Sequence, residues 1–242
     1  MKLRGSVVVV TGSAQRLGRQ IALALANEGA RVVIHYNQNR EAALESVGLI
    51  ENAIAVQSDL TTEQGIEKLV EETLAHFKRW DALVNNASAF SSVSIENLDY
   101  AQYEKDQTLH VRAPFFLSKA LYDYRREKDS FTPASVVNIS DTGVNTPVAT
   151  RPSYYLAKSS LEIQTKILAK TLAPYVRVNG VAPGAIIPFS ATDEHYFEKL
   201  SQKVPLKKLA TVEDVVAAVL FLMHNKSITG ETIVVDAGEH LL

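Results

Sequence analysis

Short apolar runs alternate with longer stretches of helical spacing along the whole chain, and this alternation restricts the fold more than any other feature. The runs are continuously apolar, which is typical of parallel strands that are buried on both faces of a sheet. The predicted strands are Ser6–Thr11, Arg31–Tyr36, Ala53–Gln57, Ala82–Ala87, Ser135–Ser140, Val176–Pro183 and Thr232–Asp236. The predicted helices are Leu17–Glu28, Arg40–Ile50, Thr62–Phe77, Tyr100–Arg126, Tyr154–Leu172 and Val212–Met223. This order predicts an α/β fold, a doubly wound parallel sheet of seven strands with helices on both faces.

The chain of 242 residues contains no repeat, linker or low-complexity tract that would divide it, so we predict one Rossmann-like domain over residues 1–242. The least regular segment, 185–204, follows the sixth predicted strand, at the edge of the sheet where ligands bind. Its mixture of aromatic and polar residues predicts a substrate lid. An ordinary connecting helix is the alternative.

The composition excludes several function classes. A formal net charge of −2 without a basic stripe argues against nucleic acid as a partner. The chain has no cysteine, which excludes disulfides and thiolate zinc sites, and we predict no metal. The apolar run near the N-terminus is too short for a signal peptide, and no run reaches the roughly 18 residues that span a bilayer. We therefore predict a cytoplasmic protein without membrane contact.

The first predicted strand leads directly into the motif TGSAQRLG, Thr11–Gly18. Glycines between a strand and a helix let the backbone approach a phosphate, which then meets the amide groups at the helix N-terminus. Gly12 and Gly18 therefore predict a phosphate-binding turn, although Arg16 stands where the middle glycine of such motifs is expected. The other residues that we assign to the cofactor here are Ser13, Arg16 and Leu17. A tight turn of purely structural role is the alternative.

The second predicted strand ends in the sequence HYNQNR, with no carboxylate before Glu41. An acidic residue at this position binds the free 2′-hydroxyl of NADH, and its absence removes repulsion against the 2′-phosphate of NADPH. The predicted cofactor is therefore NADPH, and its candidate ligands are His35, Tyr36, Asn37 and Arg40. The alternative for Arg40 is that it begins a solvated helix.

Tyr154 and Lys158 are four residues apart at the start of a predicted helix and therefore lie on one face. An ammonium group beside a phenol is expected to lower the pKa of the phenol, which would make Tyr154 a proton donor to a substrate that receives hydride. A surface pair without function is the alternative for this spacing.

Seven motifs occur in a fixed order: TGSAQRLG, DL at Asp59, NNAS at Asn85, NIS at Asn138, YYLAK, RVNGVAPG and ITGETIVVDAG. In this order and spacing they resemble the short-chain dehydrogenase/reductase family over essentially the whole chain. The resemblance implies that Tyr154 and Lys158 act in catalysis and that Lys158 holds the nicotinamide ribose. It further implies cofactor contacts for Asp59, Leu60, Asn86, Ala87, Ser88, Tyr154, Lys158, Pro183, Gly184 and Ile187.

Three departures from the general family pattern resemble the pteridine reductase branch. Arg16 replaces a glycine, Asp141 stands where most members carry a serine that holds the substrate carbonyl, and Ser88 and Phe90 stand where glycines are common. Phe90 could stack on a flat pterin, and Arg16 could serve both the substrate and the cofactor phosphate. The implied substrate-binding residues are Arg16, Ser88, Phe90, Asp141 and Tyr154. The alternatives are a core-filling role for Phe90 and a turn role for Asp141.

His110 stands where most of the family carry an asparagine that holds a water for proton relay. The sequence HV followed by a proline resembles the bacterial dihydromonapterin reductases. His110 could hold the same water, and a hydrogen-bonded helix histidine is the alternative.

The resemblance thus implies reduction of a 7,8-dihydropterin (dihydrobiopterin, dihydromonapterin or dihydrofolate) at C6 by NADPH, with Asp141, Tyr154 and Lys158 as catalytic residues. It also implies a homotetramer in which the helix Val212–Met223 and the last strand pack between subunits. Two alternatives are kept: a carbonyl reductase of the same family, acting on a 3-oxoacyl or sugar substrate, and a non-catalytic NADP(H)-sensing protein.

Overall fold

The computed structural model of the protein describes residues 1–90, 92–128, 133–188 and 194–242. The strands are β1 (Val7–Val10), β2 (Arg31–Tyr36), β3 (Ala53–Gln57), β4 (Ala82–Asn85), β5 (Ala134–Ile139), β6 (Val176–Pro183) and β7 (Thr232–Val235). They form one parallel sheet in the order β3-β2-β1-β4-β5-β6-β7. The predicted fold class is confirmed.

The helices are α1 (Arg16–Asn27), α2 (Arg40–Gly48), α3 (Glu63–Phe77), α4 (Tyr100–Gln107), α5 (Ala113–Glu127), α6 (Pro152–Thr171), α7 (Glu194–Lys203) and α8 (Val212–His224). The single helix predicted over Tyr100–Arg126 is wrong in one respect, since a π-helical turn, Thr108–Arg112, divides it into α4 and α5. Pro114 lacks an amide hydrogen and its ring crowds the carbonyl of His110, four residues earlier, which disfavours regular α-helix here.

Two apolar layers, one on each side of the sheet, form the core. Val8 and Val10 of β1 face the layer covered by α1 and α8, while Val7 and Val9 face the layer covered by α3 and α5. The strand is buried on both faces, which is why its sequence does not alternate. Each fully buried valine contributes about 1.5–3 kcal/mol to folding.

The strand order reverses between β1 and β4, because the chain builds β2 and β3 on one side of β1 and then crosses to the other. Loops that leave the carboxyl ends of the strands on both sides of such a point enclose a crevice, which is the usual ligand site of a doubly wound sheet. The TGSAQRLG turn follows β1, the NNAS segment continues from the end of β4, Asp141 comes shortly after β5, and Gly184 follows β6. The fold therefore brings the predicted motifs to one edge.

The segment 185–204 was predicted as a substrate lid. Its last part forms α7, while residues 189–193 lie outside the described residues. Across the part of the chain that the structure describes, no helix combines the length and the apolar character that crossing a bilayer requires.

Candidate active site

The turn after β1 is built around two glycines. Gly12 has a φ of +62°, and a Cβ placed on it would lie 2.8 Å from the Cα of Ala87. A Cβ on Gly18 would lie 2.5 Å from the side-chain nitrogen of Asn86. Both positions exclude a side chain, because the turn, the start of α1 and the loop after β4 are in direct contact.

Helix α1 begins at this turn without a side-chain cap, whereas side chains of Asn39, Thr62, Asp99 and Thr211 cap α2, α3, α4 and α8. An uncapped N-terminus presents amide hydrogens and the positive end of the helix dipole to the crevice. Together with the glycine turn, this arrangement fits a phosphate group of a dinucleotide.

The side chains of Ser13 and Leu17, two predicted cofactor residues, are directed into the fold. The Ser13 hydroxyl donates to the carbonyl of Val10 (2.6 Å) and its amide donates to the carbonyl of His35 (3.0 Å), so both of its donors hold the turn in place. Leu17 packs against the apolar layer beneath α1.

His35 was predicted to donate to a 2′-phosphate, and the structure gives it a different role. Its side chain is buried, with Nδ1 3.0 Å from the amide nitrogen of Gly12 and Nε2 3.1 Å from the carbonyl oxygen of Ser58. An amide can only donate and a carbonyl can only accept, so the hydrogen is on Nε2. Burial lowers the pKa of His35 to about 4, and the neutral ring supports the glycine turn from behind.

The remaining residues of the predicted ribose site lie at the surface. Asn37 and Arg40 are exposed and Tyr36 is half-buried, while Asn39 caps α2 and its side-chain amide contacts Gln15 at the start of α1 (3.3 Å). The exposure of Arg40 is compatible both with phosphate binding and with a solvated helix start.

Asp59 and Leu60, two predicted cofactor residues after the end of β3, differ in their exposure. One carboxylate oxygen of Asp59 accepts from the amide and hydroxyl of Thr61 (2.9 and 2.7 Å). Leu60 is buried in the apolar layer beside α3 and α5, so its side chain does not line an open crevice.

Thr11 was missed as a site residue, and it ties the two halves of the crevice together. Its hydroxyl accepts from the amides of Asn86 and Ala87 (both 2.9 Å), and the Asn86 side chain donates to the carbonyls of Thr11 and Gly12 (2.8 and 3.0 Å). The loop after β4 is therefore fixed to the phosphate turn. A threonine directly before the motif glycine was the available signal.

The structure brings Tyr154 and Asp141 together. The Tyr154 hydroxyl donates to one carboxylate oxygen of Asp141 (2.7 Å), and the other oxygen accepts from the amide of Gly143 (2.7 Å). Tyr154 lies in the first turn of α6 and Asp141 begins the short 3-10 helix Thr142–Val144. Asp141 thus has the predicted turn role and also contacts the phenol.

From the sequence, Lys158 was expected to lower the pKa of Tyr154, and the structure shows the opposite direction for that pKa. Its buried ammonium group donates to the carbonyl of Ile139 (2.8 Å) and lies 5.8 Å from the centre of the Tyr154 ring. Burial raises the pKa of Tyr154 well above its ordinary value, and the charge and hydrogen bond of Asp141 raise it further. Burial also lowers the pKa of Lys158 to about 8, while Asp141 acts against this shift.

Phe90 lies against Tyr154, edge to face, with the ring centres 5.1 Å apart. The guanidinium carbon of Arg151 lies 3.8 Å from the centre of the Phe90 ring, a cation–π contact that the sequence did not indicate. Phe90 is half-buried, so it is not one of the fully buried core side chains.

Arg16 has left-handed backbone geometry, with a φ of +53°, which explains why a glycine is expected at this position. Its guanidinium group donates to the carbonyls of Ile187 (3.2 Å) and Pro188 (3.3 Å), beyond the end of β6. Arg16 therefore reaches from the loop after β1 to the loop after β6 and borders the crevice on that side.

The residues after β6 contact the C-terminus. Pro183 is the last residue of β6, and the amide of Gly184 donates to Val235 of β7 (3.0 Å). A Cβ on Gly184 would lie 2.7 Å from the Cβ of Asp236, and the amide of the next residue, Ala185, donates to the Glu239 carboxylate (3.0 Å). Gly184 is therefore required by close packing.

His110 is buried in the π-helical turn, and its position leaves no ring nitrogen for a water. Nδ1 lies 3.0 Å from the carbonyl oxygen of Asp106, and Nε2 lies 3.1 Å from the hydroxyl of Ser88 and 3.3 Å from the amide of Ala89. The expected water-holding role is replaced by the alternative, a hydrogen-bonded helix histidine. Its partner Ser88 is a predicted substrate residue.

Asp106 was also missed. Its carboxylate accepts from the Gln102 side chain (3.0 Å) and from the Ser153 hydroxyl, and Ser153 immediately precedes Tyr154. One residue of α4 therefore positions His110 through its carbonyl and the start of α6 through its carboxylate. The described residues include no group of three or more side chains that could bind a metal.

Comparisons with known proteins agree with this arrangement. The family profile described as "Enoyl-(Acyl carrier protein) reductase" matches residues 12–240. The chain belongs to the short-chain dehydrogenase/reductase family. A 3-oxoacyl-[acyl-carrier-protein] reductase of Synechocystis is 32% identical over 98% of this chain and 97% of its own length. Glucose 1-dehydrogenase 2 of Bacillus subtilis is 29% identical over 98% and 95%.

Among solved structures, the short-chain reductase described here is similar to the FolM alternative dihydrofolate reductase 1 from Brucella canis, complexed with NADP. The TM-score is 0.92 at 32% identity, and the match covers 100% of this chain and 96% of the other. The names of these relatives therefore include three substrate classes: folates, 3-oxoacyl groups and sugars.

Proposed function

We propose that this short-chain reductase uses NADPH to reduce a 7,8-dihydropterin, such as dihydrobiopterin, dihydromonapterin or dihydrofolate, to its tetrahydro form. The observation that carries the proposal is the 2.7 Å hydrogen bond from Tyr154 to Asp141. A carboxylate in this place can accept hydrogen bonds from the amino and N–H groups of a pterin, whereas a substrate with only a carbonyl offers it no donor. The Brucella canis structure supports the proposal, since it is a dihydrofolate reductase of very similar fold.

NADPH is the cofactor in this proposal. The glycine turn at Gly12, the uncapped start of α1 and the ribose end without a carboxylate before Glu41 fit a phosphorylated dinucleotide. We assign the 2′-phosphate to Asn37 and Arg40, which are exposed there, and no longer to His35.

NADPH, when bound, supplies the hydride that this reduction requires. Reduction of a C=N bond also needs a proton on nitrogen, and Tyr154 holds a proton on its hydroxyl because its pKa lies well above neutrality. Asp141 fixes the direction of that hydroxyl. We assign Lys158, whose ammonium group is anchored at Ile139, to the nicotinamide ribose. Phe90 and Arg16 border the pocket on two sides and are assigned to the flat substrate.

A carbonyl reductase acting on a 3-oxoacyl or sugar substrate is the second candidate, and the names of the Synechocystis and Bacillus relatives favour it. The two candidates differ in the role of Asp141. A carbonyl reductase needs a donor for the substrate oxygen, and an ionised carboxylate has no hydrogen to donate.

The test follows NADPH absorbance after mixing the enzyme and NADPH with dihydrobiopterin, dihydrofolate or a 3-oxoacyl thioester. A parallel reaction contains NADP⁺ and glucose, because a sugar dehydrogenase oxidises its substrate and forms NADPH. Preferential turnover of a dihydropterin is expected. Turnover of ketones alone would support the second candidate. NADPH binding without any turnover would support a non-catalytic NADP(H)-sensing protein.

We further propose a homotetramer. Large apolar side chains are exposed on α8 (Phe221) and β7 (Val234), where subunit contacts were expected, and also on α5 at Phe115 and Phe116. Buried subunit interfaces would remove this surface from water. Light scattering coupled to size exclusion should give four times the chain mass of 26.6 kDa, and a monomer would contradict the proposal.

A further inference from the structure

The pocket wall beside Tyr154 is organised by His110. This side chain is 1% exposed, and its ring contacts that of Tyr154 edge to face with the ring centres 5.3 Å apart. Three residues contact the two ring nitrogens: Asp106 at Nδ1, and Ser88 and Ala89 at Nε2. A buried ring with both nitrogens engaged has only one tautomer that satisfies its neighbours.

The neighbours determine which nitrogen carries the hydrogen. The carbonyl of Asp106 can only accept, so Nδ1 must donate to it. The backbone amide of Ala89 can only donate, so Nε2 must present its lone pair. Burial, together with the charge of Lys158, lowers the pKa of His110 to about 3, so the doubly protonated ring is not formed near neutral pH.

This tautomer also determines the direction of the Ser88 hydroxyl. Because Nε2 has no hydrogen, the contact of 3.1 Å requires that Ser88 donates to it. The serine oxygen then turns its lone pairs away from His110, and Ser88 is an exposed residue within hydrogen-bond reach of the Tyr154 hydroxyl. Asp141 accepts from the Tyr154 hydroxyl, and a carboxylate has no hydrogen to donate.

We propose that His110 is a positioning residue for substrate specificity, which acts by holding Ser88 as a hydrogen-bond acceptor. Ser88 and Asp141 then form a pair of acceptors beside Tyr154 that favours flat nitrogen heterocycles with N–H donors over substrates that carry only a carbonyl. The inference rests on the proposed function, since it concerns the same pocket. It adds a residue that does not touch the substrate and a reason why a histidine replaces the family asparagine.

The main test compares His110→Phe, Ser88→Ala and the double variant with the wild type. Phenylalanine keeps a planar ring of similar size but removes both nitrogens, so the Ser88 hydroxyl can turn toward the crevice. We expect the KM for dihydrobiopterin to rise about tenfold in each single variant, with a smaller change in kcat, because a polar group of the site is no longer matched to the substrate. The KM for a ketone substrate should stay within about twofold.

The double variant separates a shared role from two independent ones. If His110 acts through Ser88, the double variant should lose no more than the single variants, within about twofold. Losses that multiply, or an equal rise in KM for both substrates, would overturn the proposal. If His110→Phe does not fold, Ser88→Ala and His110→Asn test the proposal instead. The side-chain oxygen of asparagine can accept a hydrogen bond from Ser88, so His110→Asn should keep a dihydropterin KM close to that of the wild type, whereas Ser88→Ala should raise it.

His35→Phe is the matched control, because it removes the other buried histidine that supports a backbone turn. It should weaken NADPH binding, measured by fluorescence titration, without changing the ratio of the two KM values. The wild type separates the two hypotheses. Absence of dihydropterin turnover in the wild type overturns the proposed function and this inference together. If the wild type turns over a dihydropterin and the KM losses multiply in the double variant, only the role of His110 is overturned.

Discussion

Two buried histidines support the two halves of the crevice in the same way and with different consequences. His35 lies behind the phosphate turn and His110 lies behind the loop after β4, and each ring donates to a carbonyl and accepts from a backbone amide. Burial lowers the pKa of both, to about 4 and about 3. The two ring nitrogens of His35 hydrogen-bond to backbone groups, so His35 determines where the turn lies. His110 also contacts the Ser88 hydroxyl, so it can determine what the pocket presents to a substrate.

The comparison teaches that a buried histidine near a ligand site can act entirely through its neighbours. The cofactor half of the crevice uses backbone amides, whose direction is set by glycine geometry at Gly12. The catalytic half uses side chains, Tyr154, Asp141 and Ser88, whose hydrogens can turn unless another group holds them. Variants in each half should therefore affect different measurements.

The largest effect is expected from Tyr154→Phe, which removes the hydroxyl that we propose as the proton donor. Turnover should fall by about two to four orders of magnitude, the usual contribution of a positioned acid. The NADPH dissociation constant should change little, because the phosphate turn is unaffected. Steady-state kinetics and fluorescence titration measure the two quantities. Turnover retained within tenfold would mean that the proton comes from another group.

In the cofactor half, Gly12→Ala should weaken NADPH binding by about tenfold to a hundredfold. The new Cβ would lie 2.8 Å from the Cα of Ala87, at a φ of +62°, so the turn must shift. Gly48→Ala is the matched control, since a Cβ there meets nothing within 4 Å. The control should leave NADPH binding unchanged. Equal losses in both variants would show that the turn does not hold the cofactor.

The two histidines should also make the protein less stable in acid. Their pKa values are lower in the folded state than the ordinary 6.5, so the unfolded chain binds more protons below that pH. The free energy of unfolding is therefore highest above 6.5 and falls as the pH decreases toward 4. For His35 the loss reaches about 2 kcal/mol by about pH 5. Urea denaturation of the wild type and His35→Gln should show a shallower pH dependence in the variant, and equal slopes would contradict the buried neutral ring.

The smallest effect is expected from Arg16→Gly, where the two halves meet. The guanidinium contacts with Ile187 and Pro188 are lost, but glycine adopts the φ of +53° without the cost of about 1–2 kcal/mol that an L-residue pays there. Dihydropterin binding should weaken several-fold more than NADPH binding. Arg16→Ala, which keeps the backbone strain, separates the two contributions. An equal loss for both ligands would show that Arg16 serves only the cofactor phosphate.

The strand pattern predicted β2, β3 and β6 with their observed bounds, because a continuous apolar run that ends in turn residues defines where the strand begins and ends. It did not predict the π-helical turn, although Pro114 was a local signal.

Tyr154, Asp141 and Phe90 were predicted as neighbours and lie together. Lys158 was expected to lower the pKa of Tyr154, but burial and the carboxylate of Asp141 raise it. Sequence spacing says which residues share a face, and it does not say how deeply they are buried.

The sequence by itself determined the fold class and the edge of the sheet where the chemistry-bearing residues gather, because apolar periodicity and turn residues are local properties. The ordered set of motifs, through its resemblance, indicated the family. Only the tertiary structure decided which atoms face the crevice. His35 turns inward because its partners Gly12 and Ser58 follow the neighbouring strands β1 and β3, and the Nε2 side of His110 is held by a loop that arrives from β4. Hydrogen bonds between segments distant in sequence fix these directions, and such contacts exist only after the sheet has formed.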